Sequence, residues 1–468
     1  MEKPVNPFDY YTKINLNLWT DDQNFSALVE HIQEQSPKVG NPVIRKKHLT
    51  VVLANLYYTW LDDPEKYVGY YRMSNRYKAR SMYNILHISK LVIAIIDTLV
   101  ALKYVDNKKG FYDRFNQSRI ARMRSNNELI KLFTQFKLQP DIVELLPSTP
   151  CIILRDIKDN NKEEMDYVVT KELDSLRTSL VRYNNLLRKT HIAIPHYPKE
   201  GIIRGKNNNK IPYNPQNKFV RRIFNNGTFK DGGRFYGGFW QHVPSGWRTA
   251  IRINGQPVVE HDYGGLHINL LYAQENKDFT GDPYSLQHPK YSDEELRPYL
   301  KQLLLIMINC RTHKQVLYAL RNAINWDTQL SIYSAFNHRE FIELLSGKHK
   351  PIQKYFYSGY GITLQNIDST IAHNIIETFT KRGIAILCVH DSFICCSDYG
   401  EELTKEMESA YKSISSTKAI SLSYKGTDPH LLRNDRDFYI DTMLKNRDRD
   451  YEALFKQHKQ RQWKDHYK

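Results

Sequence analysis

The chain has 468 residues, of which 67 are Lys or Arg and 51 Asp or Glu, for a net charge of +16 and a pI near 9.3. That length holds two or three domains, since single cores stop growing at roughly 250–300 residues, and that charge points to a polyanionic partner, DNA first and RNA as an alternative. No apolar stretch reaches the roughly 18 residues of a spanning helix, and the N-terminal seven residues lack the apolar core of a signal peptide, so the expectation is a cytoplasmic protein without a membrane partner.

The basic excess recurs at 45–47, 204–222 and 445–468, and 32 Tyr and 19 Phe are interleaved with it. Those rings can stack bases; the plainer reading is a solvated surface that keeps the protein dispersed. Five cysteines, at 151, 310, 388, 395 and 396, contain no C-x-x-C and mostly sit in apolar runs. They read as buried thiols rather than a disulfide framework or a zinc site.

From Lys46 to about Phe133 the pattern is helical, most clearly over 88–102, where apolar residues at 88, 91, 92, 95, 96, 99 and 102 keep a 3.6 period and Ser89 can cap. A turn-rich Asp106–Gly110 then leads to an aromatic strand at Phe111-Tyr112. Helix, basic turn and strand suggest a winged helix, with Asn84–Ser89 ahead of the longer helix and Lys108, Lys109, Arg114, Arg119, Arg122 and Arg124 on phosphates. An ordinary helical bundle with a cationic surface fits the same pattern.

Gln135–Pro150 reads as a connection, Cys151–Arg155 as a short strand, and Asp166–Thr190 as a long amphipathic helix with Leu173, Leu176, Leu180, Tyr183 and Leu187 at three- and four-residue steps. That helix is either thumb-like, lying along a duplex, or a packed scaffold element. Residues 191–217, rich in Pro, Gly and Asn, mark a boundary. The expected division is a nucleic-acid-binding region 1–140, a helical region 141–217, and a catalytic region 218–468 ending in a basic tail.

Within 229–273, a glycine- and aromatic-rich stretch is followed by loosely alternating Arg248–Ile253, a hairpin turn at Asn254-Gly255 and a second strand ending at Asp262. After Gly264-Gly265, Leu266–Ala273 regains helical spacing, so Asp262 either serves chemistry or merely caps that helix. Further on, Ile384–Val389 and Phe393–Cys396 are apolar strands around His390-Asp391-Ser392, a hairpin with an acidic tip. A turn aspartate usually bonds only its own backbone; one held between strands this apolar sits on a rigid element against a core.

If the fold joins Asp262 and Asp391, the pair suits two Mg²⁺ ions, or Mn²⁺. Hard cations take oxygen ligands, and two of them about 3.5–4 Å apart can clamp both ends of an in-line phosphoryl displacement. Between the two acids, Tyr291–Asn309 reads as a helix opened by a Ser292/Glu295 capping box, with Arg297 and Lys301 four apart on a face that can grip a triphosphate. Pro298 works against this by restarting the helix and rotating Arg297 away from Lys301. Alone, such a cation pair is usually a solvated face.

Taken together, these residues resemble the nucleotidyltransferase half of the family A DNA polymerases and of the related single-subunit, phage-type RNA polymerases, over about residues 229–400. His261-Asp-Tyr-Gly-Gly-Leu266 looks like motif A, Arg297-x3-Lys301 like the start of the fingers helix, and Val389-His-Asp-Ser392 like motif C in its RNA-polymerase form. Gly233-Arg234, with Gln241 and Pro244, is similar to the Gly-Arg stretch ahead of motif A, and Gln365-Asn-Ile-Asp368 to the glutamine-bearing segment before motif C.

The resemblance implies an α+β, right-hand fold with an antiparallel palm sheet and helical fingers and thumb, joined here to the α-rich, winged-helix-like N-terminal region. It implies that Asp262 and Asp391 hold two Mg²⁺ with the Tyr263 carbonyl as a third ligand. Arg297 and Lys301 then bind the incoming nucleoside triphosphate, Lys301 also serving as acid to the pyrophosphate. His390 touches the primer end, and Arg234 and Gln365 line primer or template. His267 replaces the glutamate that gates the sugar 2′ position in the DNA enzymes, and Leu305 and Asn309-Cys310 replace the aromatic and Tyr-Gly of the fingers helix, which leaves sugar choice open.

The expected activity is template-directed primer extension by a DNA polymerase without a proofreading exonuclease. A single-subunit RNA polymerase, primase or untemplated nucleotide-adding enzyme would use the same residues. A DNA-binding initiator or regulator without turnover is the non-enzymatic alternative, and retained buried acids argue against it because uncompensated carboxylates cost stability.

Overall fold

The computed structural model describes residues 10–37, 40–111, 119–158, 161–194, 202–204, 210–326, 330–415 and 420–425. Arg114 and the basic stretch 445–468 lie outside the described residues, as does part of 204–222. The first elements are β1 (Tyr11–Lys13), α1 (Gln23–Glu34), α2 (Pro42–Asp62), β2 (Tyr67–Tyr70), α3 (Leu91–Ala101), β3 (Val105–Lys108), β4 (Ala121–Ser125) and α4 (Asn127–Gln135). Asn41 caps α2, and Pro42 occupies the first turn, where its missing N–H costs nothing. From His48 to Tyr57 α2 is buried on every side, at the centre of a first core that gathers residues from Leu18 to Val143. A mixed sheet in the order β1-β2-β4-β3 flanks it, with only β1 and β2 parallel.

The helical pattern expected over Lys46–Phe133 is thus broken by three strands. Asp106 and Lys108, expected in a turn, instead stand opposite Arg124 and Arg122 in the β3–β4 ladder. Pairing with β4 overrides their poor strand propensity. The strand expected at Phe111-Tyr112 reduces to one bridge between Phe111 and Arg119, with Tyr112 outside the described residues. α3 followed by the β3–β4 hairpin keeps the order helix then hairpin, but residues 77–90 run through turns instead of a preceding helix. The only charged residue within α3 is Asp97, and Lys90 stands at its N-cap. The cations lie on the hairpin: Lys108 and Arg124 over the Tyr67 ring at 4.7 and 5.0 Å, Arg119 over Phe111, Lys109 exposed, and Arg122 buried.

The remaining elements share a second core running from Cys151 to Tyr411. β5 (Ile152–Lys158), β6 (Asn161–Glu164), β7 (Arg221–Phe224) and β8 (Gly232–Tyr236) form a sheet in the order β8-β7-β5-β6, with β7 parallel to β5. Between them, α5 (Lys171–Lys189) follows its Thr170 cap and buries Leu180, Tyr183 and Leu187. The Tyr183 hydroxyl donates to the Ile386 carbonyl at 2.5 Å, and Lys171, Arg177 and Arg188 stay exposed.

Then come β9 (Val258–Tyr263), α6 (Leu266–Gln274), α7 (Asp293–Asn309), α8 (His313–Trp326), α9 (His338–Lys348), α10 (Gly361–Lys381), β10 (Leu387–Val389), β11 (Ser392–Cys396), α11 (Gly400–Ile414) and β12 (Leu422–Lys425). Their sheet is antiparallel throughout, in the order β10-β11-β9-β12. The turn at Asn254-Gly255 forms with both residues left-handed, at φ 52° and 84°. It does not join two strands of one ladder, however: Ser245–Arg248 is a single helical turn, Arg252–Ile253 pairs with Ile192–Ala193, and β9 finds its partners in β11 and β12. All five cysteines are free thiols. Among the described residues no helix is long and apolar enough to cross a membrane.

Candidate active site

The alternation of β9 sorts its side chains between two environments. His261 and Tyr263 face α11, where the Tyr263 hydroxyl donates to the Met407 carbonyl at 2.5 Å and the His261 ring meets the Thr404 hydroxyl at 3.2 Å. Tyr263 therefore offers the site only its backbone. Glu260 and Asp262 face the other way. Glu260 is buried and accepts from Nε and one terminal nitrogen of Arg248, at 3.1 and 2.8 Å, and from the Ser392 hydroxyl at 2.9 Å. That cluster fixes β9 against β11 just below Asp262.

Asp262 stands opposite Ser392, and Val389 opposite Ser392 closes β10 and β11 with a two-residue turn, His390-Asp391. His390 takes φ 59°, a left-handed conformation that a non-glycine residue keeps only where its surroundings enforce it. Its ring lies edge-on to Tyr236 at 5.6 Å, and among the described residues its buried Nδ1 has no hydrogen-bond partner. Burial, then the positive charge of Arg234, pushes the His390 pKa down. The Asp262 carboxyl is pushed up to about 6, first by burial and then by the negative charge of Asp391, with Lys425 and Lys301 pulling it back. The two acids are thus electrostatic neighbours. Asp262 does not cap α6, whose N-cap is left-handed Gly265.

The helix bearing the cations is continuous through Pro298, and its capping box forms in both directions between Ser292 and Glu295. Pro298 lies in the second turn and does not rotate Arg297 away: the Arg297 guanidinium and the Lys301 ammonium both lie over the Tyr284 ring, at 5.4 and 5.9 Å. Burial and the charge of Asp391 raise the Tyr284 phenol to about 12, with Arg297, Asp282 and Asp262 also acting on it. Tyr284 therefore joins the cation face to the acid pair. Arg297 is held by Asp282 at 2.6 Å. Asn309 sits at the far end of α7, about 12 Å along the helix from Lys301, and bonds the Leu305 carbonyl.

On the opposite flank, Arg234 on β8 and His267 on α6 converge on Asp368 of α10. Arg234 Nε donates to the two carboxylate oxygens at 3.2 and 2.9 Å, a terminal nitrogen of Arg234 adds a further bond, and His267 Nε2 lies 2.8 Å from Oδ2. Burial opposes the Arg234 charge, yet the bonds to Asp368 raise its pKa on balance. Gln365 is half-buried one turn earlier on α10.

No known protein family's profile matches the chain, and no curated protein is found to be similar to it. Among solved structures, it is similar to the POL domain of Pol1 from M. smegmatis, determined in complex with DNA primer-template and dNTP. The identity is 10% and the TM-score 0.31, over 86% of this chain and 69% of that one. So slight a likeness leaves the reading of the site to its own residues.

The charge of Asp391 thus acts on Asp262, Arg234, His390 and Tyr284, Arg297 and Lys301 share the Tyr284 ring, and Arg234 and His267 meet on Asp368, while Asn309 and the Tyr263 hydroxyl bond elsewhere. Sequence reasoning gave no role to Asp368, Lys425, Tyr284 or the Arg248–Glu260 pair. Asp368 stands out only as the end of the Gln365–Asp368 motif, and Lys425 and Tyr284 carry no local signal. Among the described residues no three His, Cys, Asp or Glu stand at metal-holding distance. Two neighbouring carboxylates, one with a raised pKa, nevertheless suit Mg²⁺, which binds through one or two carboxylates and completes its shell with water and phosphate oxygens.

Proposed function

We propose that the protein is a nucleotidyltransferase that extends a nucleic-acid primer along a template, with DNA as the favoured polymer and no proofreading site of its own. The observation that carries this reading is the closeness of Asp262, near the end of β9, to Asp391 in the β10–β11 turn, with both charges reaching the Tyr284 phenol whose ring lies under Arg297 and Lys301. Two mutually repelling acids are an unfavourable arrangement unless a cation offsets them.

In this reading Asp262, Asp391 and the Tyr263 carbonyl would hold two Mg²⁺ ions, or Mn²⁺, whose charge would stabilise the attacking and leaving oxygens. Arg297 and Lys301 grip the triphosphate, Arg297 exchanging its bond to Asp282 for phosphate. The primer 3′-oxygen forms a bond to the α-phosphorus, losing its proton to solvent, while the bond from that phosphorus to the bridging oxygen breaks. Lys301 then protonates the departing pyrophosphate. Arg234, Gln365 and His390 border the primer terminus, and the hairpin cations of the N-terminal region bind the backbone of the same DNA. Positioning and electrostatic stabilisation supply the acceleration.

The test is extension of a labelled primer–template in Mg²⁺, with deoxynucleotides and ribonucleotides in separate reactions. Wild-type protein should extend the primer, and Asp262→Ala and Asp391→Ala should not, while keeping the wild-type circular dichroism. Extension by either folded variant eliminates the assignment.

A further inference from the structure

Lys348, the last residue of α9, and His349, its C-cap, lie outside every motif of the sequence, yet both turn their polar atoms onto one short stretch of backbone. The Lys348 ammonium donates to the Asp282 and Ser285 carbonyls, at 2.9 and 2.5 Å, and to the Ser285 hydroxyl at 3.2 Å. His349 has no exposure, and its Nε2 lies 2.9 Å from the Pro283 carbonyl. A carbonyl has no hydrogen to give, so Nε2 carries the proton and donates it. Burial pushes the His349 pKa down to about 4, so the ring is neutral and its Nδ1 accepts from the Tyr272 hydroxyl of α6 at 3.2 Å. The carbonyls of Asp282, Pro283 and Ser285 are thus all taken by two adjacent side chains.

The turn so held is the floor of the cation face. One Asp282 carboxylate oxygen accepts from Arg297 at 2.6 Å and the other from the Tyr284 N–H at 3.0 Å. The Tyr284 ring lies beneath both Arg297 and Lys301. Pro283 abuts the chain just past Asp262, where a methyl group on Gly265 would lie 2.9 Å from its Cγ. Burial opposes the Asp282 charge, but the Tyr284 N–H, Arg297 and then Lys348 outweigh it and lower its pKa. Apolar side chains at 348 and 349 could fill the same space without fixing the turn, whereas buried polar groups that are fully bonded impose one geometry.

We propose that Lys348 and His349 are positioning residues for triphosphate binding, which fix the Asp282–Ser285 turn so that Asp282 and Tyr284 hold Arg297 and Lys301 toward the acid pair before substrate arrives. The inference rests on the nucleotidyltransferase reading above. Neither residue touches the substrate; both act through the turn, as the supporting layer of a site does.

Two measurements test this. The first, hydrogen exchange followed by mass spectrometry, needs no turnover. Lys348→Met should speed exchange in peptides spanning 280–290, where the Tyr284 and Ser285 amides bond Asp282, and leave α10 at its wild-type rate. Unchanged exchange at 280–290, or an increase spread equally through α10, overturns the inference.

The second is calorimetric binding of inorganic tripolyphosphate with Mg²⁺, with Arg297→Ala as the control that places the wild-type signal on this face. Lys348→Met should weaken binding about 3- to 10-fold, the range of one net hydrogen bond, and raise the nucleotide KM by a similar factor with a smaller change in kcat. His349→Phe should act in the same direction, and His349→Gln, which keeps a donor, should recover part of the loss. Because the pair acts through Tyr284, Lys348→Met should add little to the loss in Tyr284→Leu. Wild-type affinity in folded Lys348→Met and His349→Phe, or full additivity with Tyr284→Leu, overturns the inference. A wild type that binds tripolyphosphate but extends no primer sinks the polymerase reading alone. If wild type and Arg297→Ala bind tripolyphosphate equally or not at all, the triphosphate grip and the positioning role fall together, and faster exchange at 280–290 would establish only the hold on the turn.

Discussion

Asp262 and Ser392 face each other across the β9–β11 ladder, so Asp391 is held just past the end of the pairing, in the turn that Ser392 closes. The carboxyl of Asp262, raised to about 6 by burial and by Asp391, is the measurable sign of that closeness.

A group whose pKa is higher folded than unfolded favours the folded state while protonated and loses that advantage as pH rises. The metal-free protein should therefore lose about 1–2 kcal/mol between roughly pH 4 and 6, a value reduced from the full shift for partial solvent access. Melting temperature against pH in a chelator should show the fall, and Asp391→Asn should shrink it. An identical fall in that variant would mean that the two acids do not sense each other.

Glu260 is the carboxylate that the site does not use for chemistry. Replacing it by Gln leaves Arg248 without its buried partner and should cost about 3 kcal/mol in urea unfolding. Ser392→Ala should cost about 1 kcal/mol, and the double variant less than the sum, since Ser392 and Arg248 share Glu260. Strict additivity would contradict the cluster.

Tyr183→Phe removes one oxygen from the fully buried contact between α5 and the chain entering β10, stranding the Ile386 carbonyl. The expected loss is about 1–3 kcal/mol with the denaturant slope unchanged. No loss would mean that α5 is only loosely attached.

How much of this was legible in the sequence varies with the range of the interaction. The capping box of α7, the period of α5 and the acidic hairpin tip are set by residues within a few positions of one another, and each could be read directly. Asp106 and Lys108 misled because a strand at a sheet edge is made by its neighbour, here β4, and carries little signal of its own. Asp368 was quoted only as part of a motif: its partners Arg234 and His267 come from two other elements, and no local pattern announces such a meeting.

Lys301→Met should lower the rate of nucleotide addition by about 10²–10⁴-fold if its ammonium protonates the leaving group. Arg297→Ala should raise KM with a smaller effect on kcat, because Arg297 binds the phosphates without transferring a proton. Steady-state extension kinetics separate the two, and equal effects on kcat would refute the division of roles.

One set of contacts far from the chemistry bears on how steadily the cation helix is held. A methyl group on Gly361 would lie 2.1 Å from Asn309 Oδ1, and Tyr357 and Gly359 donate to the Met307 and Cys310 carbonyls at 2.8 and 3.1 Å. The rear of α7 is thereby riveted to the entry of α10, and its front is tied as well, by the Tyr333 hydroxyl on the Glu295 carbonyl at 2.6 Å and by the Leu286 N–H on Asp293 at 3.0 Å. Clamped at both ends, the helix presents Arg297 and Lys301 from a fixed beam, so little ordering of its backbone is left to be done when an anion reaches that face.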